Sequence, residues 1–226
     1  MNAFQLKTLA SMIMVLDHVG QFMPTAPLWF RYAGRIVAPI FFFLLVEGFI
    51  HTRSRCKYGL RLLAAGLIMT LGSTIITMST AGNIPLVNNI FLSLALGIAL
   101  MECLTRLKIP NPRFKDMFFA TIIVFAMLMT EAHIYGVMMV LVFYYFKDMP
   151  RHLAILYSLI AILPSLFSSI NIKQLLLIDY QWMMIFALPL LLTYNGELGP
   201  SSPAIKWSFY IFYPIHLWVI YIIATV

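Results

Sequence analysis

Residues 84–105 read IPLVNNIFLSLALGIALMECLT, with Glu102 as their sole charge. A run of that length and apolarity can cross the hydrocarbon core of a bilayer as an α-helix, and lipid permits little else, because every backbone N–H and C=O there must be bonded internally. Comparable runs recur near 4–23, 36–51, 58–79, 115–131, 135–146, 152–170, 175–194 and 205–226. The chain is 62% hydrophobic and only 10% charged, with a mean hydropathy of +0.92, whereas a soluble domain is about 25% charged. These features predict an all-α, polytopic transmembrane helical bundle of about eight to ten helices, eight or nine of them spans, with residues 1–226 forming one domain. The 135–146 run is short for a span: either it is a tilted or half-length helix, or it joins its neighbour through EAHIYG. Gly82, Pro110, Pro112, Pro150 and the stretch NGELGPSSP mark turns between spans.

Charge placement predicts the orientation. Lys7, Arg53, Arg55, Lys57, Arg61, Arg106, Lys108, Arg113, Lys115, Lys147, Arg151 and Lys206 fall at one set of alternate helix ends. Of the 15 lysines and arginines, only Arg31, Arg35 and Lys173 fall at the other. The positive-inside rule therefore places the N-terminus and the basic loops in the cytoplasm, and an odd helix count places the C-terminus outside. The formal charge of +7 then reports topology and contact with the lipid bilayer, so no nucleic-acid partner is expected. The first apolar run is broken by Asp17-His18 and lacks a small-x-small cleavage site, so it is expected to stay in the mature protein. Cys56 and Cys103 supply neither a disulfide framework nor metal-ligand spacing; both are expected to be reduced thiols, and no metal is expected.

An aspartate and a histidine inside a span are the exception to this apolar pattern. Either they serve helix packing, with the histidine bonded to a neighbouring backbone carbonyl, or they form a functional site, the default reading of an intramembrane ionisable group. Adjacent helical residues point about 100° apart, so Asp17 and His18 need separate partners. For Asp17 the candidates are Arg31 and Arg35, spaced i, i+4 if the second helix begins early. Lys7 and His18 lie three turns apart on one stripe of the first helix, separated by about 16 Å along its axis. That stripe suits a long ligand with phosphates at one end and a reactive group at the other, a shape that coenzyme A has. In EGFIHTRSRCKYGLRLL (47–63), Arg53, Arg55, Lys57 and Arg61 are dense enough to grip nucleotide phosphates, or serve as an anchor to anionic lipid. Glu47 and His51 form an i, i+4 pair at the interface, where a solvated or capping role is expected.

Three stretches together carry a family resemblance: LKTLASMIMVLDHVG, then GRIVAPIFFFLLVEGFIHTRSRCKYGLRLL, then YNGELG followed by KWSFYIFYPIHL. In this order, over nearly the whole chain, they resemble the TraX family of conjugal-transfer pilin acetylases. The resemblance implies an acyltransferase of the bacterial inner membrane that takes acetyl-CoA as acyl donor and, in the namesake member, acetylates the N-terminal amine of pilin. The wider class of membrane acyltransferases has a basic residue, ten residues, then an essential histidine on the first helix, which Lys7 and His18 match. A cytoplasmic arginine-rich loop holding coenzyme A is matched by Arg53, Arg55 and Arg61.

The expected chemistry is acetyl transfer across the bilayer, with phosphates held by Arg53, Arg55, Arg61 and Lys7. His18 acts as general base on the acceptor's amine or hydroxyl, or carries the acetyl group covalently. Asp17 and Arg35 complete the catalytic set, Arg35 as a donor to the tetrahedral oxyanion. Arg31, Tyr213 and His216 are the candidate substrate residues. His216 lies at i+3 from Tyr213, and either lines the same site or bonds to a neighbouring helix. Glu131, His133 and Tyr135, at an outer connection, are expected to be solvated. Asp179 and Gln181 are further candidates for acceptor contacts. Two other function classes fit the same features: a proton-coupled transporter, which no inverted repeat supports, and a non-catalytic membrane assembly factor.

Overall fold

The computed structural model describes residues 1–80, 85–111, 113–168 and 171–225. The expected turn residues Gly82 and Pro112, and the expected helix ends at 84, 170 and 226, lie outside the described residues. All described secondary structure is helical: α1 (Ala3–Phe22), α2 (Trp29–Gly34), α3 (Val37–His51), α4 (Arg55–Ser79), α5 (Ile90–Leu107), α6 (Phe114–Leu128), α7 (His133–Phe146), α8 (Pro150–Ser168), α9 (Ile172–Leu177), a 3₁₀ segment (Tyr180–Ala187), α10 (Leu188–Leu192) and α11 (Pro203–Thr225). Where the apolar runs predict eight or nine spans, five helices among the described residues are long and apolar enough to cross a membrane: Trp29–His51, Arg55–Ser79, Ile90–Leu107, Pro150–Phe167 and Pro203–Thr225. His133–Phe146 and Tyr180–Leu192 are shorter apolar helices. Along α4, Leu60, Leu67, Ile68, Leu71, Ile75 and Met78 are exposed. In water such a surface would drive association; against acyl chains it is matched.

The 175–194 run is not one helix, and local chemistry explains why. Asp179 turns its backbone N–H back to the Gln174 carbonyl, while its carboxylate accepts a hydrogen bond from Ser165 (3.2 Å). Pro189 has no N–H to give Ile185, whose carbonyl is instead bonded by Leu188 N–H, three residues on, the 3₁₀ spacing. Hydropathy alone carries no sign of either break.

The chain forms two compact units. One comprises Met1–Phe41, Ile76–Ile84 and Asp148–Val226, and its frame is the pair α1 and α11. Phe4 meets Phe209 edge-on (6.2 Å between centroids), His18 meets His216, and Phe22 meets Tyr221 (5.3 Å). Contacts ascend together along both helices, so the first and last helices run parallel. The loop before α11 seals the start of α1: Ala3 and Phe4 donate their N–H groups to the Glu197 and Leu198 carbonyls, while Asn2 and Gln5 form a reciprocal capping box. Gly199 makes this possible. It sits at φ +67°, and a Cβ there would fall 2.7 Å from Asn2 Cγ.

The other unit comprises Phe42–Ile75 and Pro85–Lys147, in which α5, α6 and α7 pack mutually. Phe43 packs edge-on to Phe143 (5.6 Å between centroids). The expectation of a solvated Glu47 is overturned here: Glu47 is 8% exposed and accepts a 2.7 Å bond from Lys147 Nζ. That cation lies a hundred residues away, and the expected i, i+4 pair with His51 forms as well. His51 Nδ1 lies 3.0 Å from the Glu47 carbonyl and 3.7 Å from its carboxylate. Glu131 is exposed but not merely solvated, because its carboxylate accepts the Asn89 N–H (2.7 Å) at the start of α5. Cys56 and Cys103 are free thiols.

Candidate functional site

His18 lies on the face of α1 that packs against α11, and it is 3% exposed. Its Nδ1 is 2.8 Å from His216 Nε2. The two rings are 15° from coplanar with centroids 5.0 Å apart, the geometry of an in-plane nitrogen-to-nitrogen hydrogen bond. Tyr213, 4% exposed, places its ring centroid 6.0 Å from that of His18 and 5.8 Å from that of His216. Pro214 lies between Tyr213 and His216 within α11, and its missing N–H leaves the helix one backbone bond short at this level.

Hydrogen-bond partners decide where the protons sit. His216 Nδ1 lies 2.7 Å from the Phe212 carbonyl, which only accepts, so this nitrogen carries a hydrogen. In the neutral ring His216 Nε2 is then a lone pair, and His18 Nδ1–H donates to it. His18 Nε2 is left unprotonated. It has no hydrogen-bond partner among the described residues, yet no buried side-chain nitrogen or oxygen lacks a partner. Nε2 is therefore not fully enclosed.

Next to this pair, Asp17 joins α1 to α2. Its Oδ1 accepts from Arg31 Nη1 (2.7 Å) and Arg35 Nη2 (3.3 Å). Arg31 Nη1 also reaches the Asp17 carbonyl (3.1 Å). Arg35 donates through Nε to the Arg31 carbonyl (3.3 Å) and through Nη1 to Gln181 Oε1 (3.1 Å), and it lies 5.4 Å from the Tyr180 ring centroid. Tyr32 donates its hydroxyl to the Leu176 carbonyl (2.6 Å). Both guanidinium groups act electrostatically on the His18 ring.

Gly34 lets α2 sit directly on the carboxylate, since a Cβ there would lie 2.2 Å from Asp17 Cγ. Gly34→Ala is expected to displace Asp17 from its two arginines and to destabilise the protein by about 1–3 kcal/mol, the usual cost of overpacking. A thermal midpoint unchanged from wild type would count against this packing.

Lys7 sits three turns before His18 on α1, with Nζ 6.0 Å from the Phe209 ring centroid and Lys206 acting on it electrostatically. Neither lysine has a carboxylate partner among the described residues. Arg53, Arg55, Arg61 and His133 lie in the other unit, and Asp179 lies in the same unit as Lys7. Arg53 and Arg61 are exposed. Arg61 lies 5.9 Å from the Tyr58 ring centroid. Arg55 is engaged, by Glu102 (3.5 Å) and by the Phe49 ring (4.3 Å). Asp179 is held by Ser165, and His133 Nδ1 lies 2.8 Å from the Leu128 carbonyl.

Sequence reasoning brought Asp17, Arg31 and Arg35 together by spacing, but it passed over Lys206 and Tyr180 as site neighbours. The parallel course of α1 and α11 is what gathers Lys206 to Lys7 and His216 to His18. A basic residue and a histidine recur on both helices, Lys7 with His18 and Lys206 with His216, and that repetition was the available signal.

The family model described as TraX protein matches residues 3–224. The chain is also similar to the probable fimbrial assembly protein FimC, serogroup H1, of Dichelobacter nodosus, at 31% identity over 240 residues, covering 96% of this chain and 93% of the relative. No solved structure matches it.

Proposed function

We propose, from the premise that this chain belongs to the TraX family, that it is a membrane acetyltransferase moving an acetyl group from acetyl-CoA to an amine or hydroxyl of an acceptor. The observation that carries this reading is a buried histidine whose Nδ1 is held by a second histidine and whose Nε2 has no partner among the described residues, an arrangement that in the neutral pair leaves Nε2 as a bare lone pair. Helix packing alone would need neither the open lone pair nor the fixed tautomer.

In the proposed step, the acceptor's nitrogen or oxygen forms a bond to the acetyl carbon and loses its proton to His18 Nε2. The carbon–sulfur bond then breaks, and the thiolate leaves with that proton as free coenzyme A thiol. His216 fixes the ring and spreads the imidazolium charge through the Nδ1–H bond. Each of Arg35's three nitrogens already donates to a protein oxygen, whereas Arg31 donates through Nη1 alone. Arg31, and not Arg35, therefore keeps N–H groups for an anionic group of the substrate.

Lys7 and Lys206, two cations without acidic partners three turns from the histidines, fit the phosphates of the donor. The protein sits in the bacterial inner membrane with its N-terminus in the cytoplasm, as the lysine and arginine distribution supports. Its acceptor is a pilus or fimbrial subunit, in keeping with the family and with the relative's name.

The test is purified full-length protein in detergent, titrated with acetyl-CoA and assayed for free thiol with and without added amine. Saturable binding and amine-dependent thiol release are expected. Absence of coenzyme A binding would overturn the reading in favour of a non-catalytic assembly factor, which the relative's name also fits.

A further inference from the structure

Arg31 and Arg35 share one carboxylate. Neither meets a second acidic group among the described residues, so the cluster keeps one uncompensated positive charge in a partly buried place, the arginine side chains being 18% and 21% exposed. Such a charge is costly unless something anionic completes it. The arrangement of donors is equally telling. Arg31 contacts Asp17 and Gln21 through Nη1 only, which leaves its Nε–H and Nη2–H without protein partners among the described residues. Those two groups form the side-on fork of a guanidinium, parallel donors whose spacing matches the two oxygens of a carboxylate or phosphate. Because no buried side-chain nitrogen lacks a partner, the fork opens outward and is not sealed. Gly34 pressing on Asp17 and the Nη1 bonds hold the group in place, so the fork is preorganised.

We propose that the Nε/Nη2 edge of Arg31 is an anion-binding subsite that selects acceptors carrying a carboxylate or phosphate close to the amine or hydroxyl that is acetylated. Assignment of the anion to an acceptor rests on the acetyltransferase reading; the anion subsite itself does not. Asp17 positions the fork by occupying Nη1 and so directs the free edge away from α1.

The subsite and the transfer reading are tested by separate measurements on full-length protein in a neutral detergent. At constant ionic strength, β-alanine and inorganic phosphate are expected to raise the thermal midpoint saturably, and n-propylamine is not. The rise should vanish in Arg31→Gln, survive in part in Arg31→Lys, and be unchanged in Lys173→Gln, an exposed cation on α9. Because the readout is the ligand-induced increment, a lower starting stability of Arg31→Gln does not obscure it. No increment in wild type, or an equal increment in Arg31→Gln, overturns the subsite. In the second measurement, radiolabelled acetyl-CoA is expected to acetylate β-alanine with at least about tenfold higher kcat/KM than n-propylamine, with the ratio falling to near one in Arg31→Gln. Transfer without that preference overturns the selectivity while the acetyltransferase reading stands. An Arg31-dependent midpoint rise with no transfer upholds the subsite and removes the acetyltransferase reading. Loss of the β-alanine increment in nanodiscs containing phosphatidylglycerol would assign the fork to a lipid headgroup and overturn its role in acceptor choice.

Discussion

His18→Ala is expected to lower acetyl transfer by about two to four orders of magnitude, the range that a positioned general base contributes, while coenzyme A binding stays near its wild-type strength. The separation follows from placement. Lys7 and Lys206, the cations proposed for the donor's phosphates in this unit, lie three helical turns from the histidine, so removing the imidazole leaves them in place. Truncation at His216 should act through His18. With leucine at 216 the Nδ1–H of His18 loses its acceptor, the ring is free to turn or change tautomer, and kcat should fall by about tenfold or more. His216→Gln keeps a carbonyl oxygen for that N–H and should recover much of the loss. Equal defects in the leucine and glutamine variants would mean that His216 does something other than hold the ring. A His18→Ala protein with wild-type turnover would remove the histidine from the chemistry.

Asp17→Ala is expected to be the most destabilising single change in the site. Removing one member of a buried ion pair commonly costs 3–5 kcal/mol, because its partner is left charged and unpaired. Here two guanidiniums lose their shared carboxylate, but all three side chains keep some solvent, 16% for Asp17, so about 2–3 kcal/mol is the appropriate expectation. Asp17→Asn keeps the shape but not the charge and should fall between wild type and alanine. Adding Arg31→Gln to Asp17→Ala should cost less than the sum of the two singles, since the second change removes a cation that the first left unpaired. Thermal midpoints of the four proteins in one detergent give the comparison. Strict additivity would contradict the shared-carboxylate arrangement.

Fold class was legible because apolar runs long enough for a bilayer admit only helices, and the counting of runs needs no knowledge of packing. Interruptions inside a run were not. Nothing in the hydropathy of 175–194 shows that Asp179 is drawn to Ser165 or that Pro189 forces a 3₁₀ spacing. Pairs within one or two turns, or across one short connection, could be named from spacing, as with Asp17, Arg31 and Arg35. Pairs far apart in sequence could not. Glu47 looked solvated because its cation, Lys147, enters from α7. Arg55 looked available because Glu102 enters from α5. His216 was undecided between lining the site and bonding a neighbour, and the neighbour it bonds is His18 itself, 198 residues away. In each case the missing information was which helices run side by side.

The most direct test of the central claim is nitrogen NMR of the full-length protein labelled with ¹⁵N-histidine, with the His18 signals identified among the five histidines by their disappearance in His18→Gln. At neutral pH the account predicts a neutral His18 ring with a hydrogen on Nδ1 and a bare Nε2, and a shift of the Nδ1 signal when His216 is replaced by leucine. A hydrogen on Nε2, or a ring carrying both hydrogens, would contradict it.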